Sequence, residues 1–239
     1  MKVNRNYIKI MTILFLVIGL YSFTNHRNGE RPLFKEVDIA FTDDDALYIT
    51  REAVNKLLIQ NDGIVTGMAK EKVVLNALED ALNANKTIQD AHVYVTVNGR
   101  LKVKIKQKTP IARVGGETSF YITDNGETMP LSSVFSARVP LITGITDKQR
   151  LTDVYTLAMY IHDDEFLKKN VIGIHQQGYY FELRFRVDDF VVKLGDAHQL
   201  EAKFNNLKAF YQKARKDNTL YKYGIVNLAY HNQIVCTKK

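Results

Sequence analysis

Val93–Ile105 reads VYVTVNGRLKVKI. Val93, Val95 and Val97 alternate up to Asn98-Gly99, and Leu101, Val103 and Ile105 alternate away from it. A period of two gives each run one apolar face, and Asn-Gly supplies the positive φ angles of a two-residue type I′ turn. The stretch is therefore expected to fold as a β-hairpin.

Toward the N-terminus, Val74, Ala77, Leu78, Ala81 and Leu82 recur at spacings of three and four, which predicts a helix over Ala69–Leu82. Thr50–Leu58 reads as another helix. Phe34–Phe41 alternates, with Val37, Ile39 and Phe41 on one side, and reads as a strand before an Asp43–Asp45 turn. The order up to Gln107 is thus strand, helix, helix, strand, strand. Two helices can cover one face of such a sheet and bury both apolar stripes.

Toward the C-terminus, Pro110 marks a boundary. Phe120-Tyr121-Ile122 runs into a tight turn at Asp124-Asn125-Gly126, and PLITG at residues 140–144 is a second punctuation. Thr146 and Gln149 have capping-box spacing ahead of a helix whose stripe is Leu151, Val154, Tyr155, Ala158 and Ile161. Strands are expected over Val171–His175, Tyr179–Phe185 and Phe190–Leu194. A long helix over Leu200–Ala214 would turn Leu200, Phe204, Leu207, Tyr211 and Ala214 inward. A last strand is expected over Ile225–Val235.

The chain of 239 residues is 46% hydrophobic and 25% charged, ordinary for a protein with a packed core. Its net charge of +7 comes from basic residues interleaved with 26 acidic ones, which reads as a solvated surface and not a nucleic-acid footprint. A lone cysteine, Cys236, excludes an internal disulfide and any CxxC site. Ile10–Phe23, IMTILFLVIGLYSF, carries no charge over fourteen positions. It is short for a bilayer, which asks for about 20 apolar residues, so a cleavable signal peptide is a rival reading. Lys9 can snorkel, no A-x-A-like site follows, and Lys2, Arg5 and Lys9 favour a cytoplasmic N-side. The expectation is an anchor at residues 10–25 after a cytoplasmic tail at residues 1–9, then a polar linker from Asn25 to Pro32.

Catalytic patterns are missing. The sequence contains no Gly-rich phosphate loop, G-x-S-x-G elbow or H-E-x-x-H. The histidines at 26, 92, 162, 175, 198 and 231 never fall at i, i+4. His162 beside Asp163, Asp164 and Glu165 reads as a solvated helix end and loop. Asp188-Asp189 reads as a turn, and Asp43–Asp45 lacks the glycine and glutamate of a calcium loop. The lysine row on Arg100–Lys108 reads as the wet face of a strand. No enzyme, cofactor, metal, small-molecule substrate or nucleic acid is expected.

Taken in order, these features resemble the bacterial cell-division family FtsQ/DivIB. The resemblance rests on Ile88-x-x-Ala91-x-Val93, on Gly99-x-Leu101-x-Val103-x-Ile105, and on Pro110-Ile111-Ala112-Arg113-Val114 as a hairpin-to-linker signature. It extends through Tyr121-Ile122-x-Asp124-x-Gly126-x-x-Met129-Pro130, Pro140-x-x-x-Gly144, Leu194-Gly195-Asp196 and Asn227-Leu228-Ala229-Tyr230. The chain departs from the family at Lys108-Thr109, and at Asn227 and Ala229 in a motif that usually reads Asp-Leu-Arg-Tyr. The resemblance implies an α+β protein with a transmembrane helix, a POTRA-type β-α-α-β-β domain at residues 33–108 and a mixed β-sheet domain with flanking helices at residues 110–236. It further implies a single-pass inner-membrane scaffold at the septum, mostly outside the cytoplasm, that binds FtsB and FtsL to support septal peptidoglycan synthesis. A terminal strand can accept a partner strand. The expected binding edge is Tyr230, His231, Asn232, Gln233, Ile234 and Val235, with Tyr230 either an aromatic anchor for the partner or simply a core residue. Other readings stay open: a POTRA-containing transport or assembly factor, a membrane-tethered regulator, and an extracytoplasmic enzyme.

Overall fold

The computed structural model describes residues 5–29, 37–42, 48–62, 75–116, 118–144, 151–230 and 233–239. The chain divides into two compact units, Met1–Gln107 and Lys108–Lys239.

The first unit contains α1 (Arg5–Gly29), β1 (Asp38–Phe41), α2 (Arg51–Asp62), α3 (Leu75–Asn83), β2 (Ile88–Val95) and β3 (Leu101–Gln107). The strands form one sheet in the order β1-β3-β2, with β1 parallel and β2 antiparallel to β3. Val54 and Leu58 from α2 and Leu78 and Leu82 from α3 are buried with Ile39, Val93, Val103 and Ile105 from the sheet. The lysine row lies on the opposite face, where Lys102 Nζ meets Asp38 Oδ2 at 3.0 Å. Gln107 closes the unit: its buried Oε1 accepts the N–H groups of Tyr48 (2.6 Å) and Ile49 (3.2 Å). The Asp43–Asp45 turn and the Ala69–Val74 part of the expected helix lie outside the described residues.

The hairpin turn differs from expectation. Thr96 N–H donates to Arg100 O and Gly99 N–H to Thr96 O, both at 2.9 Å, so the loop holds three residues, Val97–Gly99. Gly99 takes φ 77°, while Asn98 is absent from the positive-φ residues. This is a type I turn followed by a left-handed glycine. Parity explains it. The observed register pairs Val93 with Val103 and Val95 with Leu101, apolar against apolar. A two-residue Asn98-Gly99 loop would set Val95 against Lys102 and Val93 against Lys104, because slipping by one flips every side chain.

The linker expected from Asn25 is helical through Gly29, since α1 continues that far. Among the described residues no helix is long and apolar enough to cross a membrane. The uncharged run Ile10–Phe23 is fourteen residues, about 21 Å of helix against about 30 Å of bilayer hydrocarbon.

The second unit contains β4 (Pro110–Val114), β5 (Phe120–Thr123), β6 (Thr128–Pro130), β7 (Leu141–Thr143), α4 (Leu151–Asp163), α5 (Glu165–Asn170), β8 (Val171–Gln177), β9 (Tyr180–Phe185), β10 (Val191–Gly195), α6 (Leu200–Lys216), β11 (Tyr223–Asn227) and β12 (Val235–Lys238). One sheet runs in the order β12-β11-β10-β9-β8-β7-β4-β5-β6. Helices α4 and α6 bury Val154, Leu157, Ala158, Ile161, Phe204 and Leu207 with Ile142, Ile174, Leu183, Val192 and Val226 of the sheet. All five residues expected to face inward on α6 are buried.

Several expectations are corrected in this unit. Pro110–Val114 is a strand inside the sheet; proline is tolerated there because it is the first residue. PLITG contains β7, whose three residues are too few to show alternation. The expected solvated loop after His162 is α5, which Asp164 caps by accepting Leu167 N–H at 3.0 Å. Asp164 also pairs with Lys208 of α6, tying the two helices together. The single strand expected over Ile225–Val235 is two antiparallel strands, β11 and β12. The Thr146–Gln149 capping box lies outside the described residues.

Candidate interaction site at the terminal sheet edge

The site grows from two parallel neighbours. Strands β10 and β11 pair in register, Val191 with Ile225 and Lys193 with Asn227. The segments leaving their C-terminal ends must therefore travel side by side. Leu228 N–H donates to Lys193 O at 2.8 Å. Gly195 then turns away with φ 79°. A Cβ placed on Gly195 would lie 3.1 Å from Ala229 Cβ, so the missing side chain is what admits the Leu228–Tyr230 segment.

Asp196 follows this turn and meets Lys203 of α6. Lys203 Nζ donates to Asp196 Oδ1 at 2.7 Å and to Asp196 O at 2.9 Å. The Lys203 hydrogen bond holds the Asp196 carboxyl below the ordinary carboxylate range; burial opposes it and His198 N–H assists. A cleft of about 280 Å³ opens here, lined among others by Asp196, His198, Lys203, Leu228, Ala229, Tyr230 and Gln233. Its lining mixes apolar Leu228 and Ala229 with the Asp196–Lys203 ion pair and with Tyr230, which is 51% exposed. Such a surface suits a protruding side chain from another protein. Among the described residues no group of three metal-ligating side chains converges.

The sheet ends beside the cleft at β12. Its register on β11 sets Val235 against Asn227, Cys236 against Val226 and Thr237 against Ile225. Lys239 N–H donates to Lys222 O at 2.9 Å. Antiparallel pairs alternate between inward-bonding and outward-pointing residues, so the N–H and C=O of Cys236 and Lys238 point to the open edge. The Cys236 thiol is half-buried against the core, and burial pushes its pKa up, which disfavours the thiolate. The other end of this sheet is β6, three residues long and closed by Pro130. Shortness and proline both blunt an edge. Strand β12 carries no proline.

Of the sequence-expected edge residues, Tyr230 and Gln233 line the cleft, Ile234 packs half-buried on the core, and Val235 begins β12. His231 and Asn232 lie outside the described residues. Cys236, Thr237 and Lys238, which form most of the edge, were not in the expected set. The signal was present: His231-Asn232-Gln233 is a polar break, and Ile234-x-Cys236 resumes the alternation. Asp196 and Lys203 carried no local sign of the cleft.

Two family models match the chain. Residues 109–237 match "FtsQ/DivIB, C-terminal related", and residues 34–106 match the POTRA-like domain. No curated protein matches it.

Proposed function

The chain belongs to the FtsQ/DivIB family, and on that premise we propose that it is a membrane-anchored division scaffold acting outside the inner membrane. It binds an extended segment of FtsB or FtsL as an added strand on β12 and thereby supports septal peptidoglycan synthesis. The observation that carries this reading is the open edge: Cys236 and Lys238 turn their backbone groups outward beside a cleft lined by Tyr230 and Gln233. A partner strand would gain affinity from main-chain hydrogen bonds and selectivity from the side chain it lowers into the cleft. The anchor reading draws support from α1, where eleven large apolar side chains between Ile10 and Phe23 are exposed. Lys9 at its start suits a headgroup boundary.

The test is the Lys238→Pro variant of the full chain. Proline there removes an outward N–H and leaves the β11 pairing intact. Capture of FtsB is expected to fall about tenfold, the scale of one net hydrogen bond in a binding constant. Thr237→Pro, which strikes an inward position, is expected to damage the fold instead. Undiminished capture by a folded Lys238→Pro chain removes the β12 reading. A fluorescent fusion that stays uniformly distributed, with no midcell band, removes the division role.

A further inference from the structure

The small unit carries its own outer strand, β2, eight residues long and without proline. Thr96 N–H donates to Arg100 O, which sets the alternation along the hairpin. Tyr94 and His92 bond inward to β3, while Val95, Val93 and Ala91 direct their N–H and C=O groups away from it. An edge of this length is a template for another strand. One of its outward groups is taken: Val93 N–H donates to Glu79 Oε1 at 2.7 Å. Glu79 reaches it from α3, where the adjacent Leu78 is buried in the core and fixes that helix against the sheet. His92 Nδ1 stands 3.9 Å from the same oxygen, and its Nε2 3.1 Å from Asp90 Oδ2.

We propose that Glu79 is a plug on a latent pairing edge, and that β2 freed of it pairs antiparallel with β2 of a second copy of this chain. The occupant follows from self-complementarity. A two-fold axis at Val93 sets Val93 against Val93 through its outward N–H and C=O. It also sets Ala91 against Val95, His92 against Tyr94, and Asp90 against Thr96. No like charges meet, so the pairing carries no electrostatic penalty across strands. With the plug in place a neighbouring strand would face the carboxylate where it needs a donor, and the central hydrogen bond cannot form.

The test uses the full chain in mild detergent, followed by sedimentation velocity over a range of concentrations. Glu79→Ala is expected to self-associate at a concentration at least about tenfold lower than the wild type, the value of one net hydrogen bond or more. Glu79→Gln keeps an acceptor and should behave as the wild type. Adding Val95→Pro to Glu79→Ala removes a second outward N–H and should return the chain to wild-type behaviour. Amide exchange across β2 and β3 reads the fold separately. Glu79→Ala with that protection intact and no added association overturns the proposal. So does association that survives Val95→Pro, or loss of protection across the hairpin, which would make Glu79 a structural residue only.

Discussion

Gly195 ends β10 and Ala229 lies just beyond the end of β11, and a methyl group on Gly195 would sit 3.1 Å from Ala229 Cβ and 3.4 Å from its Cα. Gly195 also holds φ 79°, a conformation that L side chains rarely adopt. Two costs therefore coincide at one atom, next to the cleft. Gly195→Ala is expected to lower stability by about 1–3 kcal/mol and to weaken partner capture by shifting Tyr230. Denaturant unfolding and pull-down check the two effects. Ala229→Gly added to Gly195→Ala should relieve the contact and leave the backbone strain, so recovery is expected to be partial. Full recovery would show that φ at 195 costs nothing.

Gly144 presents a sharper case at the end of β7. A Cβ there would lie 2.1 Å from Gln176 O and 2.9 Å from His175 Cε1, at φ 82°. The obstacle is backbone, which cannot move aside without tearing β8 from its neighbours. Gly144→Ala is expected to cost more than Gly195→Ala, about 4 kcal/mol or more. Gly173→Ala is the matched control, because its new Cβ would meet Arg184 Cβ at an ordinary 3.5 Å. Thermal unfolding should rank the variants in that order, and equal midpoints for Gly144→Ala and Gly173→Ala would refute the geometry.

Gln107 ends β3 and holds the chain entering α2 by accepting from Tyr48 and Ile49. Gln107→Leu preserves bulk but removes the acceptor for two buried donors. The expected loss is about 2–4 kcal/mol. Gln107→Glu keeps an acceptor oxygen and should cost less at neutral pH than Gln107→Leu. Hydrogen exchange at Tyr48 and Ile49 should rise in Gln107→Leu before global unfolding does.

Acid should act through Asp164. Burial alone would raise its carboxyl, but the Lys208 hydrogen bond and the Leu167 N–H outweigh it, and the net direction is down. A carboxyl depressed in the folded state contributes stability above its unfolded pKa of about 3.9 and loses it as pH falls through the folded value. Stability of the wild type is therefore expected to decline below about pH 4. Asp164→Asn should flatten that part of the profile and be less stable at neutral pH. Parallel acid profiles for the two proteins would remove Asp164 from the account.

How much of this was legible beforehand differs by element. The five inward positions of α6 were readable because a long helix repeats its period until chance is excluded. The hairpin at Asn98-Gly99 was visible as a turn, yet its loop length depended on matching the parity of two apolar runs. Strands β4 and β7 were hidden for another reason. One begins with proline and the other has three residues, and both are strands only because sheet neighbours on either side satisfy their backbone.

The amino-acid sequence by itself determined the longer helices, which faces are apolar, and the strand-helix-helix-strand-strand order of the first unit. Those properties depend on residues within a few positions of one another. Tertiary structure alone decided that Asp196, Lys203, Tyr230 and Gln233 share a cleft, that β12 is left as an open edge, and that Glu79 accepts the Val93 N–H at the edge of β2. Each of these depends on which strand lies beside which. That order is set by the burial of the whole sheet, a sum over residues far apart in the chain.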